Sequence, residues 1–483
     1  MKRDTSDEAG EPVDTGGEQK KGGKESHHRS ILHDALHLMS GRISHITIRI
    51  AIGIAAARIW GAEARGMIAA AMIIAMLVYT VFDLGMAKSI PYMVGRKTAP
   101  LKRIIGSAMS MWAIASILSV MATIAYFYPE QTRGDLPWLW ILLAVAQIPS
   151  RLLSAYARGF AVGYRKLKFI SHLYWLTDPA ILCIILIGGV LLGFDSTEDG
   201  WIFIAANAVV FGIVSIASFR LIGSQEGLNF RGDLSTWKEM TSRSIVYGLS
   251  TVMMVLNYKV NVVLLALPAM GVSRADLGNF SVGVSIAELL WQLPRTMGQI
   301  LYSRSVNTEN PRHSAMQTAH ISRLSMAVAV PFGIVFAVVA PWLVPLVYGP
   351  EYPKTAMVTQ LLLPGVIVFF AARTFEADLM AKGKPWVVIW IMAPAVVINV
   401  VLNVIFVPRY GINASALIST ATYVTAALAM SVVYARITEI PLRDLLLVKR
   451  GDLEFLMKRL RNRSAKRKEK GGELDRVRDS QDS

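Results

Sequence analysis

Long apolar stretches of this sequence contain ionisable side chains, and nine of these are candidates for chemistry: Arg49, Asp83, Asp178, Lys259, Glu288, Arg295, Arg373, Glu376 and Asp378. Charged residues in such stretches usually face a partner or a water-filled cavity. A guanidinium or ammonium group in a cavity can bind an anion through charge-assisted hydrogen bonds. A carboxylate in the same place can take up a proton or a sodium ion. These residue types therefore predict a polar cavity inside an otherwise apolar molecule.

Arg49, Lys259 and Glu288 lie deepest within their apolar stretches, and two interpretations remain open for them. In the first, they line the cavity, and either Glu288 or Asp83 binds a coupling proton or sodium ion. In the second, they form ion pairs between helices. The candidate pairs are then Lys259 with Glu288, and Arg49 with Asp83.

The other charges lie closer to the predicted helix ends, where a long side chain can reach the surface. Arg295 is near the inner end of its stretch and is a further candidate for the cavity. Arg373 and Glu376 are three residues apart, a spacing at which helical side chains form a local ion pair. Asp178 precedes Pro179, which predicts a helix kink.

The composition indicates what kind of molecule positions these charges. Of the 483 residues, 53% are hydrophobic and 17% are charged, whereas a soluble domain has about a quarter charged residues. The mean hydropathy of +0.44 fits a chain that meets lipid over most of its surface. The single cysteine, Cys183, excludes a disulfide framework and a multi-cysteine metal site. We predict an all-α membrane protein with no metal and no cofactor.

Twelve apolar segments are long enough to cross a membrane, since a spanning helix needs about twenty residues. They lie at 40–59, 66–92, 104–127, 136–157, 169–193, 200–221, 243–268, 278–301, 322–347, 356–380, 385–408 and 412–435. The first segment is interrupted by Arg42, His45 and Arg49. We therefore predict about twelve transmembrane helices.

Basic residues are concentrated in alternate loops between these segments. The second loop carries Arg96 and Lys97, and the tenth carries Lys382. The odd-numbered loops are mostly acidic or balanced, as at Asp195 and Glu198 in the fifth. Because basic loops stay in the cytoplasm, this alternation predicts that both ends of the chain are cytoplasmic. Membrane topology, rather than nucleic-acid binding, then explains the net charge of +16.

The longest hydrophilic stretch between helices divides the chain into two halves of six helices. We predict a disordered cytoplasmic tail at 1–33, an N-terminal lobe at 34–222, a cytoplasmic linker at 223–242, a C-terminal lobe at 243–436 and a basic cytoplasmic tail at 437–483. Residues 449–470 of the last tail either lie on anionic lipid as a short amphipathic helix or form a solvated tail that enforces topology.

The two halves share a spacing of glycines. Gly61 and Gly66 bracket the turn before the second helix, and Gly271 and Gly278 bracket the turn before the eighth. A further glycine follows nineteen residues after Gly66 and twenty after Gly278. Two six-helix halves of the same orientation imply a parallel repeat about an axis along the membrane normal. A central cavity between two such lobes is a common plan for transporters.

The eleventh and twelfth helices carry a specific motif. Asn399-Val-Val-Leu-Asn403 is followed by Val407-Pro408-Arg409-Tyr410-Gly411-Ile412-Asn413-Ala414-Ser415-Ala416. This resembles the Asn-x-x-x-Asn and Ile-Pro-x-Tyr-Gly-x-x-Gly-Ala-Ala motifs of polysaccharide and oligosaccharide-lipid flippases. Those Wzx-type biosynthesis proteins belong to the multidrug/oligosaccharidyl-lipid/polysaccharide (MOP) superfamily. The turn from Trp60 to Gly66 and the segment from Gly278 to Pro294 are also similar to theirs.

The resemblance implies two six-helix lobes around a central cavity, as in the MOP and MATE proteins. It implies a flippase that moves a lipid-linked oligosaccharide or polysaccharide precursor to the outer leaflet by alternating access. Helices one, two, seven and eight would line the cavity, where cations would offset the charge of a polyprenyl pyrophosphate carrier. Arg49 and Lys259 are then the first candidates for that contact. Further candidates are Asn261, Glu288 and Arg295.

Two groups of motif residues have a structural interpretation. Asn399 and Asn403 lie one helical turn apart and can hydrogen-bond a neighbouring helix. Pro408, Tyr410 and Gly411 are typical of a tight turn. We predict that these five residues hold the fold together.

Several catalytic motifs are missing from the sequence. It has no Gly-x-x-x-x-Gly-Lys-Ser/Thr loop, no His-Glu-x-x-His and no nucleophile elbow. The short outer loops count against a membrane polymerase or ligase, so we predict a protein that is not an enzyme. The predicted partners are a lipid-linked glycan, membrane lipid and polysaccharide-assembly proteins. Two other functions stay open: a cation-coupled exporter of small amphipathic compounds, and a non-transporting scaffold for a polysaccharide synthase.

Overall fold

A computed structural model describes residues 16–164, 166–291 and 311–447. Throughout these ranges the chain is helical and contains no strand, so the predicted all-α class is confirmed. The candidate Arg295 and the basic segment 449–470 lie outside the described residues. The first helix begins at Gly16, within the segment 1–33 for which composition predicts a tail.

Fourteen α-helices follow one another along the described residues. They are α1 (Gly16–Phe82), α2 (Met86–Arg96), α3 (Leu101–Phe127), α4 (Glu130–Arg133), α5 (Trp138–Ala146), α6 (Ile148–Gly163), α7 (Leu167–Leu186), α8 (Trp201–Ile222), α9 (Leu234–Ala266), α10 (Arg274–Leu289), α11 (Pro311–Tyr348), α12 (Thr355–Ala381), α13 (Pro385–Thr438) and α14 (Leu442–Leu446). A π-helical turn (Ile187–Leu191) and two 3-10 helices (Thr197–Gly200 and Pro268–Met270) lie in the connections.

Two of these helices bend at a glycine and continue in a new direction. The bend in α1 is at Gly61, with φ 74° and ψ −175°. The bend in α13 is at Gly411, with φ 65° and ψ −156°. Glycine adopts a positive φ without strain, whereas a residue with a Cβ atom rarely does. Each glycine therefore joins two apolar helical segments, here called arms, without a loop between them.

Nine helical runs among the described residues are long and apolar enough to cross a membrane. Two of them, Ser44–Phe82 and Pro385–Thr438, consist of two arms each because of the bends at Gly61 and Gly411. In addition, α10 covers the start of the predicted eighth span. These elements account for the twelve predicted passages, and the polytopic fold is confirmed.

The two helices that enter the centre from the second half begin at capping side chains. Asp233 precedes α9 and accepts a hydrogen bond from the backbone N–H of Thr236 at 3.1 Å. The hydroxyls of Thr236 and Ser235 also donate to it, each at 2.7 Å. These bonds favour the carboxylate and lower the pKa of Asp233 to about 2. Ser273 caps α10 by accepting from the N–H of Asp276 at 3.1 Å.

The halves are joined mainly through α1, which packs on α7 in the first half and on α9 and α10 in the second. Within the first half, α6 packs against α2 and α8; within the second, α12 packs between α11 and α13. The buried core contains large aromatic side chains such as Trp60, Trp291 and Phe375. The outer face of α11 exposes Phe332 and Trp342, which suits contact with lipid.

Candidate functional site

A cavity of about 510 Å³ lies between the two halves and is referred to as the central cavity. Its wall consists mainly of both arms of α1, of α7 and α8, and of α9 and α10. A side pocket of about 240 Å³ adjoins it, and Arg49, Arg65, Tyr79 and Lys259 line both spaces. The helices that the resemblance places around a cavity (the two arms of α1, α9 and α10) are therefore part of this wall.

Arg49 projects from the first arm of α1 into the central cavity, where its side chain is exposed. Among the described residues, no carboxylate lies within salt-bridge distance of it. Its candidate partner Asp83 lies at the junction of α1 and α2, and it lines neither the cavity nor the side pocket. The cations that act on Asp83 electrostatically are Lys88 and Arg158. The structure therefore does not bring Arg49 and Asp83 together.

Lys259 and Glu288 form an ion pair across the cavity wall, between α9 and α10. The Lys259 ammonium donates to Glu288 Oε1 at 2.6 Å and lies 5.6 Å from the centre of the Tyr258 ring. The two side chains are 19% and 23% exposed, so each keeps contact with the cavity. The pair is thus a polar part of the wall, in which Lys259 can exchange Glu288 for an anionic ligand.

Two arginines outside the predicted set line the side pocket, and one of them, Arg65, also lines the central cavity. Arg65 lies near the start of the second arm of α1, with its guanidinium 5.4 Å from the Phe203 ring. Arg151 on α6 donates from Nε to Gln147 at 2.6 Å and from Nη2 to Asn207 at 3.0 Å. Within the described ranges, neither arginine has a carboxylate partner.

The sequence held a partial signal for both arginines. Arg151 lies inside the predicted span 136–157, so a complete search for charges within spans finds it. Arg65 lies one residue before the predicted span 66–92. The helix resumes directly after Gly61, and this places Arg65 on a membrane-spanning arm rather than in a loop.

A histidine and an aspartate add a second polar pair to the cavity wall. His45 Nδ1 and Asp178 Oδ2 form a short hydrogen bond that links α1 to α7. Asp178 is 4% exposed, and this hydrogen bond gives its buried carboxyl group a polar partner. The sequence predicted only a kink here; α7 runs as a helix through Pro179.

Positive charge exceeds negative charge around these spaces. The side pocket is lined by four cations and by no carboxylate among the described residues: Arg49, Arg65, Arg151 and Lys259. The two carboxylates in the wall of the central cavity are Asp178, bonded to His45, and Glu288, paired with Lys259. Arg49 lies within electrostatic range of Arg65 and Arg151. A cluster of like charges in a low-dielectric setting favours an anionic ligand.

Asn261 lies away from the cavity, inside the second half. It is 1% exposed, donates to the Ser419 hydroxyl and accepts from Asn403 at 3.1 Å. Asn403 also donates to the Asn399 side chain at 3.0 Å. Asn399 donates to Thr422 at 3.0 Å. The structure therefore places Asn261 in a buried network with the motif asparagines rather than among the lining residues.

The side of the molecule that carries the connection between α8 and α9 is referred to as the linker face. A further charged group lies on this side of the cavity. Arg373 and Glu376 form the local ion pair that their spacing predicts, at 3.3 Å. The Arg373 guanidinium lies over the rings of Tyr258 and Trp291, at 5.5 and 5.7 Å. These contacts hold Arg373 beside the wall, and it lines neither the central cavity nor the side pocket.

The two halves touch on both sides of the cavity. Towards the linker face, Gly85 packs against Gly248 backbone to backbone. On the opposite face, Gly66 packs against Gly278 in the same manner. There, Glu351 also accepts a hydrogen bond from the backbone N–H of Ala62 at 3.0 Å. In this conformation the cavity is therefore bounded at both ends by contacts between the halves.

No group of three His, Cys, Asp or Glu residues in the described ranges is arranged to hold a metal ion. The polar groups that face the cavity are mainly the guanidinium, ammonium, imidazole and carboxylate groups described above. Their arrangement is suited to binding and releasing an anion by exchange of ion-pair partners.

Comparison with known proteins gives a family and a fold. A family model described as "Polysaccharide biosynthesis protein" matches residues 55–357, which is more than half of the chain. No curated protein sequence matches the chain.

Several solved structures share the fold over most of their length. The lipid II flippase MurJ in an inward closed conformation has a TM-score of 0.64 at 13% identity, covering 88% of this chain and 92% of that one. An inward-facing multidrug resistance MATE family transporter of the MOP superfamily has a TM-score of 0.62 at 13% identity, covering 84% and 98%. A MOP superfamily transporter from Pyrococcus furiosus, described as having a binding pocket of reverse polarity, has a TM-score of 0.58 at 13% identity, covering 86% and 96%.

These TM-scores support a shared fold, and the family model covers the second arm of α1 together with α7, α8, α9 and α10, which surround the central cavity. The chain therefore belongs to the polysaccharide biosynthesis protein family and has the two-lobed fold of the MOP superfamily transporters.

Proposed function

We propose that this protein is a flippase that moves a lipid-linked oligosaccharide or polysaccharide precursor from the inner to the outer leaflet by alternating access. The product would feed the synthesis of a surface polysaccharide. The observation that carries the proposal is the cationic cavity inside a membrane-spanning bundle, with Arg49 and Arg65 unmatched by a carboxylate in the described residues. The family supports the link to polysaccharides, and one protein of the same fold is named a lipid II flippase.

The pyrophosphate of a polyprenyl carrier is the anion that fits this cavity. It must pass through a low-dielectric region, where guanidinium groups offset its charge and bind its oxygens two at a time. Arg49 and Arg65 lie on the two arms of α1, on either side of the bend at Gly61, and both line the cavity. A phosphate oxygen replaces Glu288 as the partner of Lys259 when the carrier enters. Glu288 is then free to take up a coupling proton or sodium ion.

The proposed orientation places the linker face in the cytoplasm of a bacterial or archaeal cell, together with both ends of the chain. The support is the alternation of basic and acidic loops along the sequence. The carrier then enters from the linker face and leaves on the side where Gly66 meets Gly278. The protein itself makes and breaks no covalent bond, and proteins that assemble the glycan act before and after it.

The test is translocation of a fluorescent undecaprenyl-pyrophosphate oligosaccharide in liposomes that contain the purified protein. A membrane-impermeant quencher added outside reports the fraction in the outer leaflet over time. We expect protein-dependent translocation. Absence of translocation, together with proton-linked movement of a cationic dye, would replace the proposal with the cation-exporter function.

Arginine variants connect the activity to the cavity. We expect Arg49→Ala and Arg65→Ala each to reduce the translocation rate at least tenfold at equal reconstituted protein, since each removes a charge-assisted contact. Arg409→Ala is the matched control, because Arg409 is exposed at the end of an arm of α13 and away from the cavity. Wild-type rates in both cavity variants would show that the cations do not contact the carrier.

A further inference from the structure

We propose that the side pocket binds an acidic group on the saccharide itself, so that the cargo is a glycan with a carboxylate-bearing sugar and Arg151 determines its specificity. This inference rests on the proposed flippase function and narrows its substrate class. It follows from the position, restraint and charge of Arg151, which the translocation of a pyrophosphate alone does not require.

The Arg151 side chain is held in one orientation without being neutralised. Gln147 and Asn207 accept from Nε and Nη2, at 2.6 and 3.0 Å. The Phe211 ring lies 4.2 Å from the guanidinium carbon and covers one face. The Tyr79 hydroxyl also lies within hydrogen-bonding range of Arg151. A guanidinium has five N–H donors in a fixed fork, so these contacts leave donors for a ligand. Two amides, one hydroxyl and one aromatic ring thus hold a full positive charge at the pocket, and none of these groups neutralises it.

Within the described residues Arg151 has no acidic partner, a property that it shares with Arg65, whereas other charges beside the cavity are paired. Lys259 has Glu288, Arg373 has Glu376 and Asp178 has His45. An unpaired charge in a low-dielectric interior is destabilising by several kcal/mol, and such residues in membrane proteins usually serve a ligand. A bound carboxylate would supply the missing counter-ion.

The rest of the pocket wall fits a sugar residue. One part of the wall is apolar, and includes Ile73, Val262 and Val284. Another part carries the hydroxyls of Ser281 and Ser285. A sugar ring presents C–H groups on its faces and hydroxyls at its edge, so it matches a wall of this mixed character.

Arg151 is also placed apart from the arginines proposed for the pyrophosphate. It lies on α6 and lines the side pocket only, whereas Arg49 and Arg65 lie on α1 and line the central cavity as well. Because the two spaces adjoin, a pyrophosphate in the central cavity places the first sugars of its glycan near the side pocket. A carboxylate on one of those sugars then meets the guanidinium of Arg151.

The experiment compares two short-chain carriers that differ in one group: a diphosphate-linked disaccharide ending in glucose, and the same molecule ending in glucuronic acid. Affinities are measured with the purified protein in detergent by titration. We expect the wild type to bind the glucuronic acid compound about tenfold more tightly, the ratio that one good ion pair supplies. In Arg151→Gln that ratio should fall to near one, and Arg151→Lys should retain part of it.

Each other outcome decides against the proposal. Equal wild-type affinity for the two compounds means that no acidic sugar is recognised, and the flippase function survives. A loss in Arg151→Gln that is the same for both compounds assigns Arg151 to the pyrophosphate or to the fold. If the wild type binds neither compound nor an undecaprenyl-pyrophosphate oligosaccharide, the proposed function itself fails. The comparison of the two compounds on the wild-type protein still tests the proposal if the Arg151→Gln variant does not fold.

Discussion

Gly66 and Gly278 occupy matching positions in the two halves of the chain and pack against each other. A Cβ atom on Gly66 would overlap the carbonyl oxygen of Arg274, and one on Gly278 would overlap that of Ala62. Each glycine therefore meets the carbonyl four residues before the other, as expected for two helices related by a pseudo-two-fold axis. Small residues allow this close backbone contact between membrane helices. The contact closes the cavity on the face opposite the linker.

Gly66→Ala should prevent that closure. The added methyl group has no space because its neighbour is backbone, so the two arms must separate. We expect at least a tenfold loss of translocation, and faster labelling of a cysteine placed at Ser285 by a reagent added on the closed side, in a background with Cys183 replaced by serine. Gly278→Ala should give the same result.

Gly212→Ala is the control for this change, since a Cβ atom there meets nothing within 4 Å. Its translocation rate should stay close to that of the wild type. If Gly66→Ala also transports at the wild-type rate, the Gly66–Gly278 contact does not act as a gate.

The spans and their number could be predicted because twenty apolar residues in a row leave few alternatives to a membrane helix. The position of Arg65 could not, because it depends on the helix resuming immediately after Gly61. The link between His45 and Asp178 joins residues 133 positions apart and depends on how α1 packs on α7. The hydropathy pattern predicts which segments enter the membrane. It does not predict which faces of those helices pack against each other.

Asn261 shows the same limit at a candidate residue. The family resemblance makes Asn261 a candidate for the cavity, on the same predicted helix as Lys259. The two residues are two positions apart on α9, so they point in different directions around the helix axis. Lys259 faces the cavity, and Asn261 faces α13.

Asn403→Ala should lower the stability of the second half. It removes the donor to the side-chain oxygens of both Asn261 and Asn399, which stay buried. The expected loss is about 1–2 kcal/mol, the upper range for side-chain hydrogen bonds between membrane helices. We expect a melting temperature several degrees lower in detergent, with Val404→Ala, at an exposed neighbouring site, close to wild type. An unchanged melting temperature with lost transport would instead give Asn403 a direct role in function.

Asp233→Ala should destabilise the start of α9 on the linker face. Asp233 accepts from Thr236 and Ser235, and these bonds lower its pKa to about 2. A lowered carboxyl pKa contributes stability that is complete above the ordinary value of 3.8 and is lost as the pH falls towards 2. Amide hydrogen exchange at Thr236 and Trp237 should be faster in the variant at pH 7, and the difference should shrink below about pH 4.

The control for the cap is Asp233→Asn, because asparagine accepts the same backbone hydrogen bond and is an equally good N-cap residue. Its exchange rates at pH 7 should lie close to those of the wild type. If Asn and Ala behave alike, the charge of Asp233, and not the capping hydrogen bond, orders this turn.

Glu288→Gln should strengthen the binding of an anionic lipid and slow its release. In the structure Glu288 occupies Lys259 at 2.6 Å, so a phosphate must displace a carboxylate to reach the ammonium group. Removing this competitor leaves Lys259 charged and available in the cavity wall. We expect about tenfold tighter binding of farnesyl diphosphate, which corresponds to ~1.4 kcal/mol, together with slower translocation.

The matched control is Glu376→Gln, which breaks a comparable ion pair, with Arg373 at 3.3 Å, outside the wall of the central cavity. It should leave the affinity for farnesyl diphosphate within about twofold of the wild type, the change expected where no competing partner is removed. Weaker binding in Glu288→Gln would mean that Glu288 positions Lys259 for the ligand instead of competing with it. The ion pair would then belong to the binding-competent state, and the exchange of partners proposed for Lys259 would have to be abandoned.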